Sequence, residues 1–502
     1  MKVAKGVRMC PSAPARDPEY VAHVLAPRYV FACREEFPYL RDVLVAHVLM
    51  LRRQEIISRD DAAATLRALW AITLDSLPPY DPRWEDLYFV LEARVADATG
   101  GRGEFRLALS RNDAGAAVAR LLVRDQILDL VDSLDRVRDT FLDQAERHRE
   151  TLIMAQTHEQ HAQPTTVAHY LLAAVATLGR CADRYRDALG RLNRSPLGAG
   201  ALTTTGFPID RAYTAELLGF SGLVENSYDA IAAADYVGEL AGSHAVFMTS
   251  LGRIVCDLLY WASNEVDGLR LAPEFIQISS IMPQKRNPVA LEHIRSELSR
   301  VLGTCVGVWA SAHNVPFGDV NDPVEDLLPV LTETHRGLAG ALVLLSRIIA
   351  AATIRPEAWT PVLRGTFATS TELADTLVRE GGLRFPDAHA AVSHLVSQRR
   401  RDGRDFGGVT PEEVAAAVAA VAGRQVRLPA DTIARALDPS GFVARREAAG
   451  GPGPRAVARM LRAAREELSA SRKAWAAFRD LTARARSQRQ REVAAVSAQV
   501  TR

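Results

Sequence analysis

The densest grouping of reactive side chains is Ser279-Ser-Ile-Met-Pro-Gln-Lys-Arg-Asn-Pro288. It places two hydroxyls, an ammonium and an amide between two prolines, just before a helical stretch. Such a set can supply a nucleophile or base, a fixed positive charge and amide donors, and it suits gripping and polarising a carboxylate. An ordinary polar loop with proline at a helix start has the same look. Thr157-His158-Glu-Gln-His161-Ala-Gln-Pro164 offers an acid or base beside a hydroxyl donor, ahead of a helix read as starting at the proline. A metal pair, His158 with His161, and a plain surface histidine pair are further readings of that window. The third window, Ser110-Arg-Asn-Asp113, gives a guanidinium fork and small donors at the start of a long helix, and reads as an anion grip or a helix cap.

The elements that must carry these windows are helices. Ile127, Leu130, Val131, Leu134, Val137 and Phe141 form one apolar stripe inside a helix expected over 112–150, about 55 Å long at about 1.5 Å per residue. Helices are also expected over 165–192, 227–264, 289–313 and 326–352, and sheet periodicity is almost absent. Parallel long helices bury such stripes in an extended bundle shared between subunits. The expected division is 1–108, an N-terminal helical domain; 109–362, the bundle; 363–455, a small C-terminal helical domain; and 456–502, an Arg/Ala-rich helical tail, solvated or packed on a partner.

Lys+Arg number 61 and Asp+Glu 60, so net charge gives no reason to expect nucleic acid or a membrane surface. Lysine occurs only at positions 2, 5, 285 and 473, which makes Lys285 an exception in an arginine-writing chain. Five scattered cysteines without CxxC spacing point away from a disulfide framework and toward a reducing cytoplasm. No GxGxxG unit, P-loop or GxSxG elbow supports nucleotide chemistry or a hydrolase triad.

Together, and in this order, the three windows resemble the fumarase/aspartase superfamily and within it the argininosuccinate lyases. Ser279 to Pro288 matches the signature SS-x-MP-x-K-x-NP, Thr157-His158 with Ala162-Gln-Pro164 is similar to TH…AQP, and Ser110 to Asp113 to SRND. Further likeness runs through Phe207 to Arg211, Thr214 to Phe220, Leu437 to Pro439 and Gly450 to Pro452. The resemblance implies an all-α three-domain fold, a homotetramer, active sites shared by three subunits, no metal or cofactor, and a small-molecule substrate: an N-substituted L-aspartate eliminated reversibly to an amine and fumarate. It implies Ser279 as the base on a closing loop, Lys285 and Asn287 on the carboxylate that takes up charge, and Ser110, Arg111, Asn112, Thr157, Ser280 and Met282 as substrate contacts. His158 would serve the leaving nitrogen, oriented by Glu292. Relatives with C–O lyase or cycloisomerase chemistry, and a silent structural homologue, are the competing readings.

The sequence departs from that pattern in places. Ile278 replaces a glycine before the paired serines, a stiffer hinge that disfavours positive φ. Glu85-Asp-Leu-Tyr88 carries tyrosine where the family has histidine. In Val315-Pro-Phe-Gly-Asp-Val-Asn-Asp-Pro-Val-Glu-Asp326, Asp319 aligns with a substrate-contacting tyrosine and Val324 with a glutamine that holds arginine. The fumarate-forming half is therefore kept and the leaving-group half changed, so the expected substrate is a diamine-linked aspartate, with Asp319 pairing a cationic group as in an ethylenediamine-disuccinate lyase, or else true argininosuccinate.

Overall fold

The computed structural model describes residues 16–102, 105–322 and 324–498. The architecture is all-α. An N-terminal group of α1 (Phe37–Arg53), α2 (Arg59–Ala71) and α3 (Leu87–Thr99) leads into α4 (Arg111–Arg147), and a hairpin of β1 (Leu152–Thr157) and β2 (Gln160–Thr166) then leads into α5 (Val167–Leu192). After α6 (Arg211–Leu218) come α7 (Asp235–Trp261), β3 (Leu269–Arg270), β4 (Gln277–Ile278), β5 (Arg286–Asn287), α8 (Val289–Ala312), α9 (Leu327–Ala351) and β6 (Thr353–Ile354). The C-terminal group is α10 (Ser370–Arg379), α11 (Phe385–Arg401), α12 (Pro411–Ala422) and α13 (Ala430–Leu437), and α14 (Pro454–Ala498) closes the chain.

Helix α4 follows from its stripe: Ile127, Leu130, Val131, Leu134, Val137 and Phe141 are all fully buried. Its start is fixed by Ser110, whose hydroxyl accepts from the Asn112 N–H while Asp113 reaches back to the Ser110 N–H at 2.9 Å. The main apolar cluster joins α4, α5, α7, α8 and α9; a second joins α1–α3 to the start of α4 and to α6; a third lies among α10–α13. No helix among the described residues is long and apolar enough to cross a membrane.

Cross-helix hydrogen bonds give the direction of each bundle helix. Gln126 donates to the Thr332 hydroxyl (3.0 Å) and Gln144 to the Ile349 carbonyl (3.0 Å), so α4 and α9 run parallel. Arg120 reaches the Leu192 carbonyl (3.2 Å), so α5 returns antiparallel. The Tyr185–His244 and Tyr170–Asp257 pairs turn α7 back again, and the Trp309 indole on the Gly238 carbonyl (2.9 Å) sets α8 antiparallel to α7.

Several expected elements differ. The helix expected over 165–192 begins at Val167, because Thr166 is its N-cap and Pro164 sits inside β2 rather than at a helix start. The helix expected over 227–264 is split by Ala233 and Ala234 into Ser227–Ala232 and α7. Among the described residues there are three two-stranded sheets, each too short for a periodic signal to register. The tail α14 lies along α4, anchored by Glu467 on Arg138 (2.9 Å), Arg479 on the Leu128 carbonyl (2.7 Å) and the buried Arg489 on Asp42.

Candidate active site

The Ser279 loop is closed by the β4–β5 pair, in which Gln277 faces Asn287 and Ile278 faces Arg286. Within it the Ser279 Oγ accepts the backbone N–H of Met282 (3.0 Å) and of Ile281 (3.3 Å), and the Lys285 N–H donates to the Met282 carbonyl (3.0 Å). Two amides on one serine oxygen favour the deprotonated form, since hydrogen bonds to a charged state lower its energy. Ser280, Met282 and Lys285 are exposed and Asn287 half-buried, with Pro288 as the N-cap of α8 and Glu292 in its first turn. Ile278 is extended, so the backbone there does not need the glycine that the family pattern carries.

Thr157 ends β1, and His158 and Glu159 form the two-residue turn of the hairpin at φ 56 and 59. That turn requires the left-handed region twice, which Asn-Gly adopts freely and His-Glu does not. The strain costs about 1–3 kcal/mol per residue and holds an exposed imidazole at the hairpin tip. Below the tip, Gln156 donates to the Tyr260 hydroxyl (2.8 Å), which ties the hairpin to the end of α7. Neither the His158 nor the Glu292 side chain has a hydrogen-bond partner among the described residues. No three His, Cys, Asp or Glu side chains among those residues converge as a metal site; His161 pairs with Gln156 in the hairpin, while His158 lies in its turn.

Ser110, Arg111 and Asn112 open α4. Asn112 Nδ2 donates to Asp319 Oδ2 at 2.6 Å, so the 315–326 segment meets the SRND segment within one chain. Arg111 binds Asp86 (2.7 Å), the residue that also caps α3. Behind them, Asp113 Oδ2 accepts from Gly198 (2.8 Å) and Gly200 (3.1 Å), whose positive φ brings their amides to one oxygen. Burial pushes the Asp113 carboxyl up to about 6, against the pull of those amides.

Asp113 and Asp86 are positioning residues that the sequence reading passed over. The SRND and ED-hydrophobic segments contained both, but nothing local says which partner each one finds. Arg28 and the buried Glu36 form a two-pronged pair (3.0 and 2.8 Å), with Arg28 within electrostatic reach of Glu325 and Asp86. Val324 packs against the bundle core and has no polar atom to offer a ligand. Tyr88 is buried edge-on against Phe89 and Phe105, inside the N-terminal cluster rather than at the windows.

The helix directions sort these residues into two groups. Ser110, Arg111, Asn112 and Asp319 lie where α4 and α9 begin. Thr157 and His158, and the loop carrying Ser279, Ser280, Met282, Lys285, Asn287 and Glu292, lie where α4 ends and α8 begins. With α4 about 55 Å long, even an extended chain from Arg147 back to His158 leaves roughly 20 Å uncovered. Among the described residues, no hydrogen bond or ion pair joins the two groups.

Residues 95–303 match a family model described as Lyase, and residues 367–444 match one described as Argininosuccinate lyase C-terminal. The argininosuccinate lyase of Methanosarcina barkeri is 34% identical over 478 residues, covering 93% of this chain and 94% of its own. That of Methanoculleus marisnigri is 38% identical over 441 residues, covering 87% and 88%. The crystal structure of EDDS lyase in complex with formate superposes at a TM-score of 0.86 with 30% identity, over 97% of each chain. A class II fumarase from Schistosoma mansoni, 16% identical with a TM-score of 0.66, covers 81% of this chain and 90% of its own and shares the fold. At 34% identity to an argininosuccinate lyase over nearly its whole length, the chain belongs to the argininosuccinate lyase family of the fumarase/aspartase superfamily.

Proposed function

We propose that this protein is a carbon–nitrogen lyase that reversibly eliminates an amine from an N-substituted L-aspartate to give fumarate. The observation that carries the reading is the Ser279 loop, intact in a chain of this family, with its serine oxygen already held by two amides. Removing a proton next to a carboxylate needs a base and stabilisation of the dianion that develops. Ser279 takes the proton, Lys285 and Asn287 hold the carboxylate that becomes an aci-carboxylate, and Ser280 and Met282 line its approach. Thr157, Ser110, Arg111 and Asn112 hold the remaining carboxylate. His158, oriented by Glu292, serves the leaving nitrogen.

The site is completed between subunits. Two groups at opposite ends of a helix about 55 Å long meet only if another copy brings its opposite end alongside. A homotetramer with sites shared by three subunits satisfies this layout. Mixing inactive Asn112→Ala protein with inactive Ser279→Ala protein, then exchanging subunits, restores activity at about a quarter of the sites, since each intact site draws two independent half-chances. No recovery after proven exchange argues against shared sites.

The amine it releases carries a positive charge. Asp319 offers a carboxylate beside Asn112, while Val324 leaves no side-chain donor or acceptor for a guanidinium. Fumarate consumption is followed by ultraviolet absorbance with arginine, ethylenediamine and ammonia. Ethylenediamine gives the fastest loss, and Asp319→Asn lowers its efficiency at least tenfold, about 1.4 kcal/mol, relative to ammonia. Unchanged selectivity in that variant overturns the role of Asp319, and no consumption with any amine overturns the lyase reading.

A further inference from the structure

The end of α14 borders an open pocket of about 520 Å³ that the lyase chemistry does not use. Arg52 and Arg53 line it from the last turn of α1, Arg59 from the start of α2, Tyr213 from α6, and Arg491 and Glu492 from α14. Four guanidinium groups thus face one carboxylate, and that carboxylate already accepts the Tyr213 hydroxyl. Arg53 lies over the Tyr213 ring at 4.1 Å, and Arg59 donates to the Ala495 carbonyl (3.3 Å). Among the described residues no carboxylate lies within 4 Å of any of the four, whereas four other arginines of α14 are paired across to the neighbouring helices: Arg465 with Asp143, Arg472 with Asp139, Arg479 with Asp132 and Arg489 with Asp42. Of the acids near in sequence, Glu55 and Asp60 are exposed and the half-buried Asp61 accepts the Ser58 hydroxyl at 2.6 Å; none of the three is in the lining.

Unrelieved like charge on three converging elements, α1, α2 and α14, opposes their packing, and an anion seated among them reverses that cost. Arginine forks match phosphate oxygens two at a time, more closely than they match a lone halide. The volume exceeds what one phosphate fills and falls in the range of small-ligand pockets, about 300–1,000 Å³. Leu49, Ala495, Val496 and the Tyr213 ring supply an apolar wall for an organic body.

We propose that this cavity binds a phosphorylated small molecule of nucleotide size, and that the bound phosphates clamp the end of α14 onto α1, α2 and α6. The site lies apart from the residues placed in catalysis, so its failure and the failure of the lyase reading are separable.

The test is thermal unfolding of the full-length protein with ATP, AMP, pyrophosphate or inorganic phosphate, against chloride at equal ionic strength. ATP and pyrophosphate raise Tm by about 2 °C or more, with half-saturation below about 1 mM. The Arg52→Ala/Arg491→Ala protein binds at least tenfold more weakly, as read by calorimetric titration, and keeps its ligand-free Tm and lyase activity. Glu492→Gln, which retains the bond to Tyr213 and removes the only lining carboxylate, binds more tightly. No shift at matched ionic strength, or an equal shift in the double variant, overturns the proposal. So does binding confined to a single-stranded DNA oligonucleotide with a steep salt dependence, which marks a nucleic-acid surface instead.

Discussion

Ser279→Ala lowers the rate of fumarate release by about 10³-fold while KM changes little. General-base catalysis contributes roughly 10²–10⁴-fold, and an interaction made only as the proton moves is lost from kcat rather than from substrate binding. The geometry explains why a serine can take this part. Its oxygen accepts the Met282 and Ile281 amides at 3.0 and 3.3 Å, so the loop stabilises an alkoxide before substrate arrives. The same bonds make the residue look like an ordinary turn serine, and the substitution separates the two readings. If Ser279 only shapes the turn, alanine leaves kcat within a few-fold and lowers stability by about 1 kcal/mol, the worth of a lost local cap. If it is the base, the rate also falls by orders of magnitude, beyond anything that small loss of stability explains. Steady-state rates with the preferred amine adduct decide this, and a kcat within tenfold of the parent protein would remove Ser279 from the proposed chemistry.

The bundle was legible in the sequence because its signal is long: six apolar residues on one face of α4 leave little choice of element, and Ser110 with Asp113 marks where it starts. The His158 hairpin was not legible. Its strands are six and seven residues long, its turn lacks the Asn-Gly pattern, and Pro164 imitates a helix start while sitting in β2. The contact of Asn112 with Asp319 spans two hundred residues of sequence and depends on α4 and α9 running parallel, which no local pattern encodes. The two-ended arrangement lies between these cases. The expected length of α4 already separated the SRND and TH windows, and the helix directions then place the Ser279 loop with His158. Tyr88 shows the opposite outcome: a family histidine position read as close to chemistry is occupied by a ring packed in the core.

Acid destabilises this bundle through three buried histidines, and His335 gives the clearest measurement. Tyr185, His244 and His335 form one chain across α5, α7 and α9: the Tyr185 hydroxyl lies 2.6 Å from His244 Nδ1, and the two Nε2 atoms are 3.2 Å apart. His335 Nδ1 lies 2.8 Å from the Leu331 carbonyl and must donate to it. Its Nε2 is then the acceptor, His244 donates from Nε2, and Tyr185 donates to His244 Nδ1, so every polar atom is satisfied with both rings neutral. Burial pushes His335 and the separate His47 down to about 4 and His244 further down. In the unfolded chain these rings take up protons below about pH 6.5, while the folded protein does not until about pH 4. The unfolded state therefore binds more protons through this window, and stability falls as the pH drops from about 6.5 to about 4, by about 3 kcal/mol for His335. Asp113 acts in the opposite sense, since its raised carboxyl takes up its proton first in the folded state. A difference between two proteins removes that background. His335→Gln retains an amide and does not titrate. At pH 7 it is less stable than the parent by about 1–3 kcal/mol, the cost of an imperfectly paired buried polar group. Denaturant titrations between pH 7 and pH 4 then show the gap closing by about 3 kcal/mol, so that the variant equals or exceeds the parent near pH 4. A gap that stays constant across that range would mean that the folded bundle takes up the His335 proton at the same pH as the unfolded chain, and the neutral chain from Tyr185 to Leu331 would have to be abandoned.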